Sequence, residues 1–95
     1  LLLHPGGWPK DECFFSWHTF VQTRAIENQI YIMSTNWAGL DNGRSVFCPP
    51  FVDGRSRTIE TLDDSPGVLS GVVDLNYLHE VREKYPYRSD RSKFY

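Results

Sequence analysis

The hydrophobic positions of the chain begin with a short continuous run, Leu1 to His4, which is typical of a strand buried on both faces of a parallel sheet. Pro5, Gly6, Gly7 and Pro9 then force a loop. Loops at the carboxyl ends of strands are where open α/β sheets usually carry their sites. We therefore expect residues 1–4 to form a buried strand, and the loop after it to border a site.

A helical stripe follows this loop. Asp11 is a residue type that caps helices, so the helix is expected to run from there to about Gln29. Its apolar positions are three and four residues apart and share one face: Phe14, Trp17, Val21 and Ala25. Phe20 and Ile26 lie near the edges of that face, which predicts a well-buried helix.

The remaining segments are shorter. Strands are predicted over residues 30–34, 45–48, 57–62 and 68–73, because these runs are rich in β-forming residues and are separated by turn signals such as Asp53-Gly54. A last helix is expected from the N-cap Asp74 to a stop at Pro86, with three apolar residues on one face: Leu75, Leu78 and Val81. The order β-α-β, short strands and α indicates a mixed sheet in an α/β protein.

Length and composition narrow the class of protein. Ninety-five residues make one domain at most, and 40% hydrophobic with 23% charged residues excludes a disordered chain. A net charge of −2 gives no general attraction to nucleic acid or membrane lipid, and no apolar run could span a bilayer. The opening residues have neither a basic n-region nor a small-residue cleavage site, so they are not typical of a signal peptide. We expect a cytoplasmic protein, and the abrupt start at Leu1 predicts a chain cut from something larger.

Two cysteines are candidate nucleophiles. His18 lies five residues after Cys13, a spacing that turns the two side chains apart on a helix, and a cysteine among aromatic residues usually packs as a small hydrophobe. Cys48 precedes two prolines and has no histidine or carboxylate nearby in the sequence. Neither cysteine forms zinc-ligand spacing with His4, His18 or His79, so we expect no metal site and no cofactor.

Aromatic and polar residues in the loops give a second candidate. His4, Trp8 and Trp37 lie on or beside loops that follow strands, where exposed aromatic side chains often line a pocket. Ordinary packing at the rim of the protein explains them equally well from the sequence alone. Composition and spacing complete no catalytic constellation.

A set of short motifs resembles the C-terminal part of the carbon–nitrogen hydrolase (nitrilase-like) superfamily. The longest is the segment 23–32 followed by Ser34-Thr35-Asn36, which is similar to the family's R-A-x-E-N helix end and the next strand. The others occur in the family's order over essentially the whole chain: Leu1 to Trp8, Gly43-Arg44-Ser45, Gly67 to Leu75, Arg82, and Asp90-Arg91. The segment Cys48 to Gly54 departs from the family's usual D-P-x-G turn.

The resemblance implies an α-β-β-α sandwich of mixed sheet and flanking helices, assembled into homo-oligomers, in which residues 1–95 are the C-terminal fragment of one hydrolase domain. Family members cleave amides, N-carbamoyl compounds or nitriles with a Glu, a Lys and a nucleophilic Cys that forms an acyl-enzyme. None of these three maps onto this chain, so no residue here is expected to be catalytic. Arg24, Glu27 and Asn28 are expected to hold their helix to the sheet.

The resemblance also implies which residues line a substrate pocket: His4, Pro5, Trp8, Asn36 and Trp37. We therefore expect the C-terminal part of a hydrolase of non-peptide C–N bonds, whose nucleophile lies upstream of Leu1. Its partner would be a small amide, carbamoyl or nitrile substrate, with no nucleic acid and no membrane. A non-catalytic binding or assembly module of the same fold is the alternative, and a small enzyme using Cys13 remains formally open.

Overall fold

Two helices and four short strands form within residues 1–53 and 59–90, the parts of the chain that the computed structural model describes. In chain order they are β1 (Leu2–Pro5), α1 (Ser16–Asn28), β2 (Ile32–Thr35), β3 (Val46–Cys48), β4 (Glu60–Thr61) and α2 (Leu75–Lys84). The strands lie in the order β1-β2-β3-β4, with β1 parallel to β2 and the other two pairs antiparallel. The predicted mixed sheet of an α/β protein is thus confirmed.

The first strand forms where it was predicted, but it is not buried. Leu2 pairs with Ile32 in register, and its backbone N–H donates to the carbonyl of Tyr31 at 2.8 Å. All four residues of β1 are nevertheless exposed, with Leu3 at 67%. The physical reason is position, because β1 is the edge strand and α1 packs on β2 and β3 instead. The prediction of a buried strand is wrong for the described residues.

Helix α1 begins later than predicted. The Asp11 carboxylate accepts from the backbone N–H of Cys13 at 2.8 Å, so it closes a turn rather than capping the helix, which starts at Ser16. The predicted apolar face is confirmed, since all four of its members are buried: Phe14, Trp17, Val21 and Ala25. Phe20 is 60% exposed, however. The helix is covered by the sheet on one side only, so the prediction of a well-buried helix is wrong.

The sheet carries a hydrophobic cluster on each face. Side chains alternate between faces along a strand, so Val46 and Cys48 of β3 pack with α1 while Phe47 between them packs with Tyr31 and Leu78 of α2. The two helices therefore lie against opposite faces of the sheet. Strands β2 and β3 each begin one or two residues later than predicted, and they form the buried centre of the structure.

The segment 68–73 is not a strand, which corrects the prediction. Val68 is 87% exposed and the segment takes part in no ladder of the described sheet. Gly71 lies directly against the ring of Phe47, where a Cβ would come within 2.3 Å of a ring carbon. The segment thus contacts the sheet through a glycine instead of pairing with a strand. Of the predicted strand 57–62, residues 60 and 61 form β4, while Arg57 and Thr58, like the Gly54 turn, lie outside the described residues.

Helix α2 agrees closely with its prediction. The carboxylate of Asp74 accepts from the backbone N–H of Tyr77 at 3.1 Å, and the helix ends at Lys84, two residues before Pro86. Leu78 and Val81 are buried as predicted, but Leu75 is exposed. No helix among the described residues is long and apolar enough to cross a membrane.

Gln29 joins the two helices at the end of α1. Its backbone is left-handed (φ 53°), and its side-chain amide donates to the carbonyls of Val81 at 3.3 Å and Tyr85 at 2.5 Å. The guanidinium of Arg82 donates back to the Gln29 carbonyl at 3.1 Å and 3.2 Å. Gln29 therefore fastens the C-terminal end of α1 to α2.

The residues expected to hold α1 to the sheet lie elsewhere. Arg24 and Glu27 form an ion pair at 2.8 Å, and both side chains are largely exposed. The side chain of Asn28 donates to the carbonyl of Arg24 within the same helix, at 3.0 Å. The expectation is wrong for Arg24 and Glu27, because their ion pair lies on the outer surface of α1 rather than between the helix and the sheet.

Candidate functional site

The loops that follow β1 and β2 lie side by side, because parallel strands bring their carboxyl ends to the same edge of a sheet. The N–H of Gly6 donates to the carbonyl of Thr35 at 3.1 Å, and that of Lys10 donates to the carbonyl of Asp41 at 2.8 Å. We call residues 4–10 and 34–45 together the loop edge. It contains all five residues predicted to line a pocket, which makes it the candidate functional site.

The side-chain amide of Asn36 connects the two loops. Its Oδ1 accepts from the backbone N–H of Trp8 at 2.8 Å, while Nδ2 donates to the carbonyls of Trp8 and Gly43, both at 2.9 Å. Both N–H groups of the amide are thereby used on the backbone. The geometry therefore gives Asn36 a positioning role at the loop edge.

Two further side chains reinforce this connection. Asn42 donates from Nδ2 to the carbonyl of Trp8 at 3.0 Å. The hydroxyl of Ser45 accepts from the backbone N–H of Asn36 at 2.9 Å and lies 3.3 Å from the carbonyl of the same residue. The backbone at Trp8 and at Asn36 is thus fixed by hydrogen bonds from the second loop. A cleft of about 70 Å³ lies beside this network.

A buried hydroxyl links His4 to helix α1. The Oγ of Ser34 lies 2.9 Å from Nδ1 of His4 and accepts from Nε1 of Trp17, also at 2.9 Å. Ser34 and Trp17 are fully buried, whereas His4 is exposed. The indole of Trp17 stacks on that of Trp8, with ring centroids 5.9 Å apart. Trp17 is therefore connected to both predicted pocket residues, to Trp8 by stacking and to His4 through the hydroxyl of Ser34.

The other two predicted pocket residues take no part in these contacts. Trp37 is 76% exposed, and its backbone carbonyl accepts from the N–H of Gly43 at 2.6 Å. Pro5 ends β1 opposite Thr35 and is exposed. Among the described residues, the hydrogen-bond network of the loop edge brings together His4, Trp8 and Asn36, and leaves out the side chains of Pro5 and Trp37.

A cluster of charges lies beside the loop edge. Asp64 accepts from Nζ of Lys10 at 2.5 Å and from Nε of Arg44 at 3.2 Å. The hydrogen bond from Lys10, supported by that from Arg44, lowers the pKa of the Asp64 carboxyl below its usual range. Arg44 also has a left-handed backbone (φ 65°), and it borders an open groove of about 540 Å³ together with the segment 61–68.

The cysteines do not form a nucleophile–base pair among the described residues. Cys13 is exposed, and Nε2 of His18 lies 2.7 Å from the carbonyl of Arg44 rather than near the thiol. Cys48 is buried in the core, and this burial raises the pKa of its thiol to about 11. A thiol with so high a pKa is inert at neutral pH. The described residues also contain no group of three or more histidine, cysteine or acidic side chains placed to hold a metal ion.

Sequence reasoning missed four residues of this network: Trp17, Ser34, Asn42 and Ser45. Trp17 was assigned to the core by its helical spacing, which is correct but does not reveal the use of its N–H. A signal for Ser34 was present, because a serine within the apolar run 30–34 needs a hydrogen-bonding partner once it is buried. Its partners come from two distant segments, so only the fold identifies them.

Comparison with known proteins places this geometry in context. The chain is 30% identical over 92 residues to 2-oxoglutaramate amidase of Paenarthrobacter nicotinovorans, a match that covers 92% of the chain and 30% of the relative. It is 27% identical over 99 residues to Omega-amidase NIT2-A of Xenopus laevis (98% and 34%), and 30% identical over 84 residues to the Hydrolase in agr operon of Staphylococcus aureus (83% and 30%). The chain thus spans about a third of the length of these relatives. No family model matches it.

Proposed function

The chain belongs to the carbon–nitrogen hydrolase (nitrilase-like) superfamily, and from this premise we propose that it is the C-terminal part of an enzyme that hydrolyses non-peptide C–N bonds. The observation that carries the proposal is the similarity of most of this chain to about a third of several amidases. In the proposed reaction a cysteine thiolate upstream of Leu1 attacks the carbon of the C–N bond. The amine leaves, and water releases the acid from the acyl-enzyme.

The state of the two cysteines supports a nucleophile outside this chain. No hydrogen bond joins the Cys13 thiol to a base among the described residues, where His18 contacts the carbonyl of Arg44, and burial keeps the thiol of Cys48 protonated. A catalytic cysteine needs the opposite environment, with a lowered pKa and access to substrate. We therefore assign no catalytic residue to these 95 residues and propose that they complete the pocket and the oligomer contacts.

The proposed substrate is a small amide, with N-carbamoyl compounds and nitriles as the other members of the class. Two of the relatives are named for amides, one of them 2-oxoglutaramate. We propose that the loop edge lines the pocket, with His4, Pro5, Trp8 and Trp37 facing substrate and Asn36 fixing the backbone between the two loops. The hydrogen bonds of Asn36 to Trp8 and Gly43 support this division of roles.

The proposal also includes the architecture, assembly and location that the family relationship implies. We propose an α-β-β-α sandwich, a homo-oligomer and a cytoplasmic protein. Support for further contacts comes from the exposed apolar surface of β1, which includes Leu2 and Leu3. Light scattering on the purified full-length protein tests the assembly, and a monomer at micromolar concentration would contradict it.

The decisive experiment begins with the coding DNA upstream of Leu1. An in-frame extension that carries a glutamate, a lysine and a cysteine in this order is expected. The full-length protein is then assayed on 2-oxoglutaramate, simple aliphatic amides and N-carbamoyl compounds. Replacing the upstream cysteine by alanine should abolish turnover, whereas the matched variant Cys13→Ser with Cys48→Ala should retain it.

Two results would overturn the proposal. Loss of turnover in the Cys13→Ser single variant, with the fold intact, would place the nucleophile in this chain. A start codon close to Leu1, with no turnover of any amide, would leave a binding or assembly module of the same fold. The amidase names of the relatives do not favour that module.

A further inference from the structure

The hydroxyl of Ser34 lies between a residue that can only donate and a residue that can do either. Nε1 of Trp17 is a donor without acceptor capacity, so Ser34 Oγ must accept from it, at 2.9 Å. His4 Nδ1 lies 2.9 Å from the same oxygen and is a donor in one neutral tautomer and an acceptor in the other. The choice of tautomer therefore depends on where the proton of the Ser34 hydroxyl goes.

The surroundings of Ser34 leave that proton one destination. Ser34 is fully buried in β2, and within the described residues its hydroxyl has no hydrogen-bonding partner other than Trp17 and His4. A buried hydroxyl whose proton has no acceptor is left with an unsatisfied donor, which disfavours that arrangement. If Nδ1 of His4 carried a proton, both neighbours would donate to Ser34 and its own proton would have no acceptor. The hydroxyl therefore donates to Nδ1, and the proton of the neutral imidazole resides on Nε2.

We propose that Ser34 and Trp17 lock His4 as its Nε2–H tautomer, and that His4 presents this N–H to an acceptor oxygen of the substrate. His4 is exposed at the loop edge, and Nε2 has no hydrogen-bonding partner among the described residues. An N–H donor attracts carbonyl and carboxylate oxygens and disfavours a substrate ammonium group at the same place. His4 is thus a specificity residue for oxo- or carboxylate-bearing amides over their amino analogues, and Ser34 is its positioning residue. The substrate part of this inference rests on the proposed function.

The tautomer is tested without any assay of activity. The full-length protein is labelled with ¹⁵N-histidine, and the signals of His4 are assigned by their absence in His4→Gln. At mildly alkaline pH, where an ordinary histidine is neutral, Nδ1 should give the shift of an unprotonated nitrogen and Nε2 that of a protonated one. Trp17→Phe removes the indole N–H and keeps a ring, so the Ser34 oxygen then has no donor except His4 among the described residues. Donating to His4 or accepting from it now leaves one group of the hydroxyl unpaired in either case, and a mixture of tautomers is expected.

Two NMR results would contradict the proposal that Ser34 and Trp17 fix the tautomer of His4. A protonated Nδ1 in the wild-type protein would overturn it. So would a wild-type tautomer that persists unchanged in both Trp17→Phe and Ser34→Ala, because Ser34 would then not determine it. The two variants act on the same hydroxyl from different sides, so the test stands if Ser34→Ala alone fails to fold.

The donor role is tested by kinetics on matched substrates. His4→Leu should lower kcat/KM for 2-oxoglutaramate about tenfold, the equivalent of one hydrogen bond, and should lower kcat/KM for a simple aliphatic amide by a distinctly smaller factor. His4→Gln, which retains an N–H donor, should recover much of the loss, and the preference for 2-oxoglutaramate over glutamine should narrow only in His4→Leu. Equal losses on both substrate types would overturn the donor role.

A separate binding measurement distinguishes this proposal from the enzymatic one. Adding 2-oxoglutarate to the ¹⁵N-histidine-labelled protein should shift the NMR signal of the proton on Nε2 of His4. If no amide is hydrolysed but this shift occurs, the proposed function fails and the donor role stands. If amides are hydrolysed and 2-oxoglutarate leaves the His4 signal unchanged, the donor role fails and the proposed function stands.

Discussion

Asn36 and the backbone of Trp8 form a reciprocal pair of hydrogen bonds, in which Trp8 N–H donates to Oδ1 at 2.8 Å and Nδ2 donates to the Trp8 carbonyl at 2.9 Å. The two residues are 28 positions apart, so the pair fixes the loop after β1 against the loop after β2. Because the indole of Trp8 also stacks on that of Trp17, the two hydrogen bonds to Asn36 fix the position of the stacked tryptophans at the loop edge. The consequence can be measured through the tryptophans themselves.

Replacing Asn36 by alanine should release Trp8. Three hydrogen bonds between the Asn36 side chain and the backbone are lost, so the N–H of Trp8 and the carbonyls of Trp8 and Gly43 lose a partner. We expect the free energy of unfolding to fall by about 1–3 kcal/mol. The near-ultraviolet circular dichroism of the stacked pair Trp8–Trp17 should weaken at the same time. Asn76→Ala, at an exposed position of α2, is the matched control and should change neither quantity. An unaltered tryptophan signal in Asn36→Ala would contradict the positioning role.

Gly43 should tolerate no side chain. Its backbone is left-handed (φ 95°), and an added Cβ would lie 2.8 Å from Cα of Asp64. Strain from φ costs about 1–3 kcal/mol, and the contact with backbone adds to it because neither loop can move without breaking the Arg44–Asp63 and Gly43–Trp37 hydrogen bonds. Gly43→Ala should therefore lower the midpoint of urea denaturation clearly.

Gly7→Ala is the control for this prediction. A Cβ at Gly7 meets nothing within 4 Å, and its backbone is not left-handed. This variant should keep the wild-type midpoint of denaturation, with a free energy of unfolding within about 0.5 kcal/mol of wild type, as surface substitutions usually do. Equal midpoints for the two variants would show that the loops adjust to a side chain at Gly43.

Elements with strong local signals were predicted well from the sequence. The Asp74 cap, the stop before Pro86 and the stripe from Phe14 to Ala25 depend on residues a few positions apart, and all three are present. The loop edge was implied only by the family resemblance, since it joins two segments that are distant in the sequence, whereas the other three features are local. The local sequence was sufficient for these features because each depends only on residues within a few helical turns of one another.

Features that depend on distant partners could not be predicted. The run 68–73 has strand-forming residues, but the fold gives it no ladder among the described strands, and Gly71 packs on Phe47 instead. Asp11 closes a turn instead of capping a helix, since α1 begins only at Ser16. The helix packs on β2 and β3, which are distant from Asp11 in the sequence. The partners of Ser34 come from residues 4 and 17, so its place in the site is a product of tertiary structure.

Asp64 should make stability depend on pH in acid. Its folded-state pKa is lowered, first by the hydrogen bond from Lys10, so its contribution to stability is fully present above the usual aspartate range and is lost as the pH falls through the folded pKa. Asp64→Asn should be less stable than wild type at neutral pH, and the difference should shrink below about pH 4. Denaturation midpoints measured at several pH values check this.

A carboxylate outside the cluster provides the control. Glu83 lies exposed on α2, and Glu83→Gln should leave the slope of stability against pH close to that of wild type. A difference between wild type and Asp64→Asn that stays constant from neutral pH to pH 3 would contradict the assigned role of the Lys10–Asp64 pair.

The two thiols should differ strongly in reactivity. Cys13 is exposed, so iodoacetamide should label it at neutral pH at about the rate of a model thiol. Cys48 is buried and the pKa of its thiol is raised to about 11, so it should react only after unfolding in urea. Mass spectrometry of peptides from the full-length protein, with and without urea, follows each cysteine separately.

Rapid labelling of Cys48 in the folded protein would contradict the core that we describe, because that thiol packs between α1 and the sheet beside Val46 and Trp17. Labelling of Cys13 far above the model rate would instead indicate an activated thiol and reopen the case for a nucleophile within this chain.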